Sequence, residues 1–175
     1  MKPAKIIRRF LTPGFVVSGL CWLRYRCMVS PRSEVELSRF LSIGRGTQIG
    51  SFCKIKSAEG PLEIGSGVLI AVGCFITSDR GGVTIGDHAM IGPSAAIVGN
   101  NYRYDRLDVP ICRQETTSKG IRIEGNVWVG ANCVVLDGAS IGSGAIISPN
   151  SVVSTKIPAN AIAQGNPAKV VFTRR

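Results

Sequence analysis

The sequence has few aromatic residues and a single histidine. Aromatic side chains make up 6% of the 175 residues, whereas 45% are hydrophobic and 21 are glycine. This composition excludes a core of large aromatic rings and favours one domain of small, β-branched side chains with frequent turns. One histidine also excludes a zinc site of three imidazoles, so no metal is expected.

Several nucleotide and redox motifs are missing. The sequence contains no G-x-G-x-x-G segment, no P-loop and no C-x-x-C pair, which argues against the sites that these motifs build. Its cysteines are Cys21, Cys27, Cys53, Cys74, Cys112 and Cys133. Several fall within the repeat described below, so we interpret them as small apolar core residues in a reducing compartment such as the cytoplasm.

Acidic residues are missing from the N-terminal end. The net charge is +10, and no acidic residue precedes Glu34. The basic residues before that point are Lys2, Lys5, Arg8, Arg9, Arg24, Arg26 and Arg32. They indicate either a nearby anionic surface or ligand, or a solvated basic arm. Nucleic-acid binding is not expected, because no aromatic stacking platform accompanies the charge.

The apolar run "FVVSGLCWL" at residues 15–23 is too short to cross a bilayer. It follows basic residues, but "RYRCMVS" comes next and offers no signal-peptidase site. We therefore expect residues 1–40 to form a basic and apolar arm that is partly helical. This arm either packs on the body of the protein or makes peripheral membrane contact through residues 1–30.

A six-residue period runs through the rest of the chain. Isoleucine or valine recurs at positions 43, 49, 55; 64, 70, 76; 85, 91, 97; 123, 129, 135; and 141, 147, 153. Six residues make a short strand and a turn, in which glycine, asparagine or aspartate adopts the left-handed conformation. Three such units close one coil, and stacked coils bury a continuous column of inward side chains.

The period predicts an all-β domain, a parallel β-helix of about five coils over residues 41–172. Between Ile97 and Ile123 the chain is twenty residues longer than one period. A long polar insertion in a regular coil is often functional, so residues 98–120 are the candidate site loop.

Residues 127–171, "VWVGANCVVLDGASIGSGAIISPNSVVSTKIPANAIAQGNPAKVV", carry a family resemblance. They resemble the C-terminal half of hexapeptide-repeat acyltransferases, in the branch that O-acetylates sugars of bacterial surface polysaccharides. The resemblance extends over residues 40–172, and "GNPAKVV" is its most specific part. It implies a left-handed coil, a homotrimer, and acetyl-CoA bound in a groove between subunits.

The loop resembles the same branch, in which "NHRYDRLDVPI" is common and this chain has "NYRYDRLDVPI". Tyr102 occupies the place of the family's general-base histidine, and Asn100 that of a second histidine in some relatives. Three interpretations stay open. Tyr102 or an asparagine (Asn100 or Asn101) positions the acceptor while Asp105 or Asp108 takes the proton. Alternatively, His88 reaches the site across a trimer interface, or catalysis has been lost.

The resemblance also implies which residues hold the cofactor. Those matching the family's pantetheine edge and phosphate contacts are Trp128, Gly130, Ala131, Ser148, Pro149, Ser154, Thr155, Lys156 and Lys169, with Arg174 as a further cation. Lysines bind the phosphates as point charges. The alternative interpretation of these lysines is a solvated basic tail.

The predicted function is transfer of an acyl group from acetyl-CoA to a sugar hydroxyl, in O-antigen, capsule or exopolysaccharide synthesis. We expect direct transfer without an acyl-enzyme, in the cytoplasm or at the inner face of the membrane on a small or lipid-linked acceptor. The competing prediction is a non-catalytic trimeric β-helix that binds or scaffolds and has lost the loop histidine.

Overall fold

The computed structural model describes residues 13–57 and 59–175. The first four basic residues of the predicted arm therefore lie outside the described residues. The part of the arm that is described begins with a helix, α1 (Gly14–Tyr25), as the apolar run predicts. Over the residues described, no helix is both long and apolar enough to cross a membrane.

After α1, the described residues form short strands that are joined by turns and by the loop. The first eleven are β1 (Met28–Val29), β2 (Glu34–Val35), β3 (Leu41–Ile43), β4 (Gln48–Ile49), β5 (Lys54–Lys56), β6 (Leu62–Ile64), β7 (Leu69–Ile70), β8 (Phe75–Thr77), β9 (Val83–Ile85), β10 (Met90–Ile91) and β11 (Ala96–Val98). The others are β12 (Asn101–Tyr102), β13 (Thr116–Thr117), β14 (Ile121–Ile123), β15 (Trp128–Val129), β16 (Val134–Leu136), β17 (Ser140–Ile141), β18 (Ile146–Ile147), β19 (Val152–Val153), β20 (Lys156–Ile157), β21 (Ala161–Gln164) and β22 (Lys169–Thr173). A single 3₁₀ turn, Ile111–Arg113, lies between β12 and β13.

Three parallel sheets form the faces of the coil. Face A holds β1, β4, β7, β10, β15, β18 and β21, and β22 closes it by pairing antiparallel to β21. Face B holds β2, β5, β8, β11, β16 and β19, and face C holds β3, β6, β9, β14, β17 and β20. The chain visits A, B and C in turn, which confirms the predicted all-β architecture, a parallel β-helix.

The inward column is the one that the period predicts. All fifteen Ile and Val positions are buried, and together they form one continuous core. Branched side chains suit this interior because they pack tightly on a pleated surface and lose little rotamer freedom there. Each coil also satisfies the backbone groups of the next, as where Gly86 N–H donates to Ile123 O at 2.7 Å.

The coil starts before the boundary predicted at residue 41. Strand β1 pairs with β4 and β2 pairs with β5, both in parallel register, and Val29 and Val35 are buried in the core. Six complete coils therefore precede β21, instead of about five. Only two inward positions, Val29 and Val35, precede the irregular eight-residue step to Ile43, so no complete group of three marks the first coil in the sequence.

The corners between the faces differ in structure. From β3 onward, each corner A–B (from face A to face B) and each corner C–A has one residue in a left-handed conformation, and besides glycines these include Asn126, Asn132, Asn150 and Asn160. Phe52, His88 and Ser94 adopt it as well, although such side chains rarely do. Corner B–C is the irregular one, and the loop leaves the coil there, between β11 and β14.

Candidate functional site

The loop is a short hairpin closed at its base. Strands β12 and β13 pair antiparallel, with Tyr102 opposite Thr116. Where the loop leaves and returns, the Ser118 hydroxyl donates to Gly99 O at 2.7 Å. The two ends of the loop therefore nearly meet, and the loop projects from the coil without interrupting it.

Carboxylates of two neighbouring coils hold the base of the loop through hydrogen bonds. Asp137, one coil further on, accepts hydrogen bonds from the backbone N–H groups of Lys119 and Gly120 at 2.8 and 2.9 Å. Asp79, one coil earlier, is nearly buried and accepts from Arg80 N–H at 2.7 Å. Its second oxygen accepts the Thr116 hydroxyl at 3.4 Å. Neither aspartate was expected at the site, because their partners are mostly backbone groups or lie far away in sequence.

The structure brings Tyr102, Asn100 and Asn101 together where the loop begins. Asn100 is half-buried and follows Gly99, whereas Asn101 and Tyr102 form β12 and are exposed. The Tyr102 side chain is 52% exposed. These three polar residues thus line the exit of the loop from corner B–C, where a bound molecule would contact both hairpin and coil.

Asp105 and Asp108 are each occupied by an arginine two residues earlier. Arg103 donates to both oxygens of Asp105 at 3.1 and 3.2 Å, and Arg106 donates to Asp108 in the same way. Hydrogen bonds from these guanidinium groups hold the pKa of both carboxyls below its usual range. A carboxylate with a lowered pKa is a weaker base, which disfavours both aspartates as proton acceptors.

His88 lies at a different corner from the loop. It occupies corner C–A between β9 and β10, is exposed, and has a left-handed backbone with φ of 57°. A Cβ atom on Gly67 would lie 2.6 Å from His88 Nδ1, so the imidazole rests over the backbone of the preceding coil. Within one chain the structure does not bring His88 to Tyr102.

Five predicted cofactor residues cluster at the end of face A and at corner A–B. Trp128 is 47% exposed on β15, and Gly130 and Ala131 follow it into the corner. Ser148 and Pro149 occupy the same corner one coil later. A Cβ atom on Gly130 would lie 2.7 Å from Pro149 N, so only glycine permits this close stacking.

The thiol of Cys133 lies beneath that corner. It is buried and donates to Ser148 O at 3.1 Å. Burial raises the pKa of the Cys133 thiol. A thiol that stays protonated is a poor nucleophile, so this cysteine is suited to packing and not to covalent chemistry.

The remaining predicted cofactor residues are distributed over separate corners. Ser154, Thr155 and the start of β20 with Lys156 follow corner B–C, two coils beyond the loop. Lys169 begins β22 near corner A–B, opposite Gln164. Arg174 follows the other end of β22, where its guanidinium donates to Gly144 O at corner C–A. One chain alone therefore does not gather Lys156, Lys169 and Arg174 around a single phosphate.

An apolar stripe runs along face A. Outward side chains in register are Met28, Gln48, Leu69, Met90, Trp128, Ile146, Ile162 and Phe172. A shallow groove of about 620 Å³ follows the first five of them. Apart from Gln48 these side chains are apolar, and an apolar stripe of this length marks a surface that binds another molecule or another subunit.

Among the residues that the structure describes, no group of three or more His, Cys, Asp or Glu side chains could hold a metal ion. All six cysteines are free, and Cys112 in the loop is the exposed one.

Comparison with known proteins supports the fold and the repeat. Residues 120–162 match the family described as bacterial transferase hexapeptide (six repeats). The chain is also 45% identical over 49 residues to 2,3,4,5-tetrahydropyridine-2,6-dicarboxylate N-acetyltransferase of Staphylococcus aureus. That match covers 28% of this chain, which spans only 20% of the length of the relative.

Solved structures extend the likeness to nearly the whole chain. AntD, an N-acyltransferase from Bacillus cereus in complex with dTDP and 3-hydroxybutyryl-CoA, superposes with a TM-score of 0.75 at 18% identity, over 86% of this chain and 81% of that one. A hexapeptide-repeat acetyltransferase of Vibrio cholerae O1 biovar eltor, complexed with acetyl coenzyme A, has a TM-score of 0.52 at 25% identity. That match covers 97% of this chain and 82% of the other.

Proposed function

We propose that this chain is an acyltransferase of the hexapeptide-repeat type, and that it transfers an acyl group from acetyl-CoA to a sugar hydroxyl. The observation that carries this proposal is the match over 97% of the chain to an acetyltransferase with acetyl-CoA bound. The sugar class rests on the loop sequence, which resembles that of polysaccharide O-acetyltransferases. The polySia-specific acetyltransferase NeuO is also similar, at 25% identity and a TM-score of 0.50 over 75% of this chain and 59% of that one.

For acetyl-CoA we propose the end of face A and corner A–B. There, Trp128 offers an exposed ring, and Gly130, Ala131, Ser148 and Pro149 leave a narrow edge of small residues for a thin pantetheine arm. Lys169 stands at the same corner, as a point charge for a CoA phosphate. Ser154, Thr155 and Lys156 belong to another corner, so they would contact this cofactor only from a neighbouring copy.

We also propose a homotrimer, because residues at separate corners of one chain could meet around the cofactor only between neighbouring copies. The apolar stripe on face A needs a partner surface, and a ring of copies would juxtapose different corners of neighbouring chains. Leu69→Asp with Met90→Asp should convert the trimer to monomer in sedimentation analysis, whereas Leu107→Asp on the loop should not. A parent protein that sediments as a monomer would remove this part of the proposal.

The proposed chemistry is a single direct transfer. The acceptor oxygen attacks the thioester carbonyl carbon, the C–S bond breaks, and CoA leaves as a thiolate that gains a proton. Tyr102, Asn100 and Asn101 position the acceptor, whose proton passes to a base. Burial raises the pKa of the Cys133 thiol, which argues against this cysteine as a carrier of the acyl group.

Three variants distinguish the candidate bases. Loss of turnover in His88→Ala, with retained CoA binding, would indicate an imidazole that arrives from a neighbouring copy, because His88 and the loop occupy different corners. Loss in Tyr102→Phe would assign the proton or its positioning to the phenol. We expect Asp105→Asn to retain most activity, because the Arg103 partner lowers the pKa of that carboxyl.

The test of function is an assay of thiol release from acetyl-CoA with a panel of sugar acceptors, read together with the mass of the product. An acceptor that gains one acetyl group on oxygen supports the proposal. An acetylated amine would keep the acyltransferase class and overturn the hydroxyl acceptor. The six free cysteines suit a reducing compartment, so we place the reaction in the cytoplasm.

A second candidate, a non-catalytic β-helix scaffold, is favoured by two observations. The loop lacks its histidine, and two of its carboxylates are held by arginines. A scaffold would form the same trimer without binding acetyl-CoA, so CoA binding separates the two candidates.

A further inference from the structure

Helix α1 is the cap of the coil, and its outer surface is unusual for a cap. The Tyr25 hydroxyl donates to Leu41 O at 3.0 Å, and the buried Cys21 thiol lies in the same core as the inward residues of the first coil. Val17 and Tyr25 pack against that core. The inward side of the helix thus closes the end of the column.

The opposite side of α1 is also apolar. Its exposed residues include Phe15, Val16, Leu20, Trp22 and Leu23, with Trp22 and Leu23 exposed by 54% and 68%. The helix sequence contains no acidic residue, and Arg24 is its one charge. The end cap of a stacked-repeat protein normally presents a polar outer surface to remain soluble. A helix that is largely apolar on its outward side as well as its inward side requires a second apolar environment.

Arginines surround this cap. The three corners of the first coil carry Arg32, Arg39 and Arg45, one at each corner, and all three are exposed. Arg26 lies at the end of α1, with its guanidinium 5.7 Å from the centre of the Trp22 ring. Four further basic residues precede α1 in the sequence. The acidic residues of the first coil lie on face B, where Glu34 pairs with Lys54 at 3.2 Å.

We propose that this end of the coil docks on an anionic lipid surface, with the outer side of α1 inserted between headgroups and the arginines around it bound to lipid phosphates. Tryptophan and arginine are well suited to this interface, since each combines an apolar body with a polar group. A second copy of the chain is a poorer occupant, because it would bring two strongly basic ends together. The proposal does not depend on the acyl transfer.

The test is cosedimentation of the full-length protein with vesicles of phosphatidylcholine, and with vesicles that also contain phosphatidylglycerol. We expect binding to the anionic vesicles that falls steeply with added salt. Leu20→Asp with Leu23→Asp should reduce the partition coefficient about tenfold or more, because it removes inserted apolar area and adds negative charge. Leu107→Asp, a fully exposed leucine on the loop, is the matched control and should bind like the parent.

The charge contribution has its own control. Arg39→Glu with Arg45→Glu should weaken binding to anionic vesicles, whereas Arg175→Glu at the other end of the chain should leave it unchanged. Circular dichroism should show the parent fold in every variant, since all these side chains are exposed. No vesicle binding by the parent, equal binding to neutral vesicles, or parent-like binding by Leu20→Asp with Leu23→Asp would each overturn the proposal. So would self-association that these helix substitutions abolish without any lipid binding.

Discussion

In the coil, every inward Ile and Val from Ile43 to Val153 is buried, whereas in the loop Leu107 is fully exposed. The coil gains its stability from a column of apolar side chains and from backbone bonds that each turn makes with the next. The loop has no such apolar column. It is held by a hairpin with strands of two residues each, by arginine–aspartate pairs and by two aspartates of neighbouring coils. The difference indicates a rigid coil and a separable loop that is stabilised by its own local contacts.

The largest effect on stability should come from the coil beside the loop. Ile97 and Ile123 flank it and are fully buried. Ile97→Ala or Ile123→Ala should lower the free energy of unfolding by about 2–5 kcal/mol, since each removes packed methyl groups and leaves a cavity. Chemical denaturation measures this. Leu107→Ala is the control, and an equal loss there would contradict the division between coil and loop.

Removing the loop should separate function from folding. Gly99 and Ser118 are already in contact, so a short Gly-Ser linker can replace residues 100–117 without strain on the coil. We expect the free energy of unfolding to change by roughly 1 kcal/mol or less, because loop-closure entropy depends weakly on length.

Acyl transfer by that variant should fall at least about 100-fold, because positioning groups contribute on this scale. Turnover at the parent rate would show that the loop is not the acceptor side of the site. Thermal unfolding of the same variant distinguishes a lost site from a damaged coil.

At the base of the loop we expect a loss of stability smaller than that caused by the core substitutions. Asp137→Ala removes the acceptor of two backbone N–H groups. This should lower the unfolding free energy by about 1–3 kcal/mol. Asp137→Asn keeps one oxygen and should lose less. Amide hydrogen exchange of Lys119 and Gly120 should accelerate in both variants. Unchanged exchange would mean that Asp137 does not hold these two N–H groups in solution.

The smallest effect concerns the arginine–aspartate pairs. Since the folded-state pKa of Asp105 and Asp108 is lowered, their contribution is present above the ordinary aspartate pKa of about 3.9 and is lost as pH falls further. The backbone N–H of Arg103, which donates to Glu115 O across the hairpin at 2.9 Å, should therefore exchange with the same protection factor at about pH 5 and pH 7. A protection factor that is already lower at about pH 5 than at pH 7 would contradict these pairings.

The coil could be predicted from sequence because its period repeats one physical requirement at every turn, an inward branched residue followed by a tight corner. The first coil was missed because only two inward residues, Val29 and Val35, precede the irregular step to Ile43. The site was less accessible to prediction. A linear resemblance to other proteins does not tell which corner a residue occupies, so Ser154 and Lys169 could be proposed for one groove although they stand at separate corners. The roles of Asp79 and Asp137 depend on contacts with other coils that no local pattern reveals.

The most direct test of the central claim, a coil that holds acetyl-CoA beside an acceptor loop, is calorimetric titration of the full-length protein with acetyl-CoA. The account predicts a dissociation constant on the order of micromolar, weakened roughly tenfold by Lys169→Ala through loss of a phosphate contact. The exposed Arg122 pairs with Glu124 on face C, so Arg122→Ala should bind like the parent. No detectable heat at millimolar acetyl-CoA would contradict the account and leave the scaffold as the function of this coil.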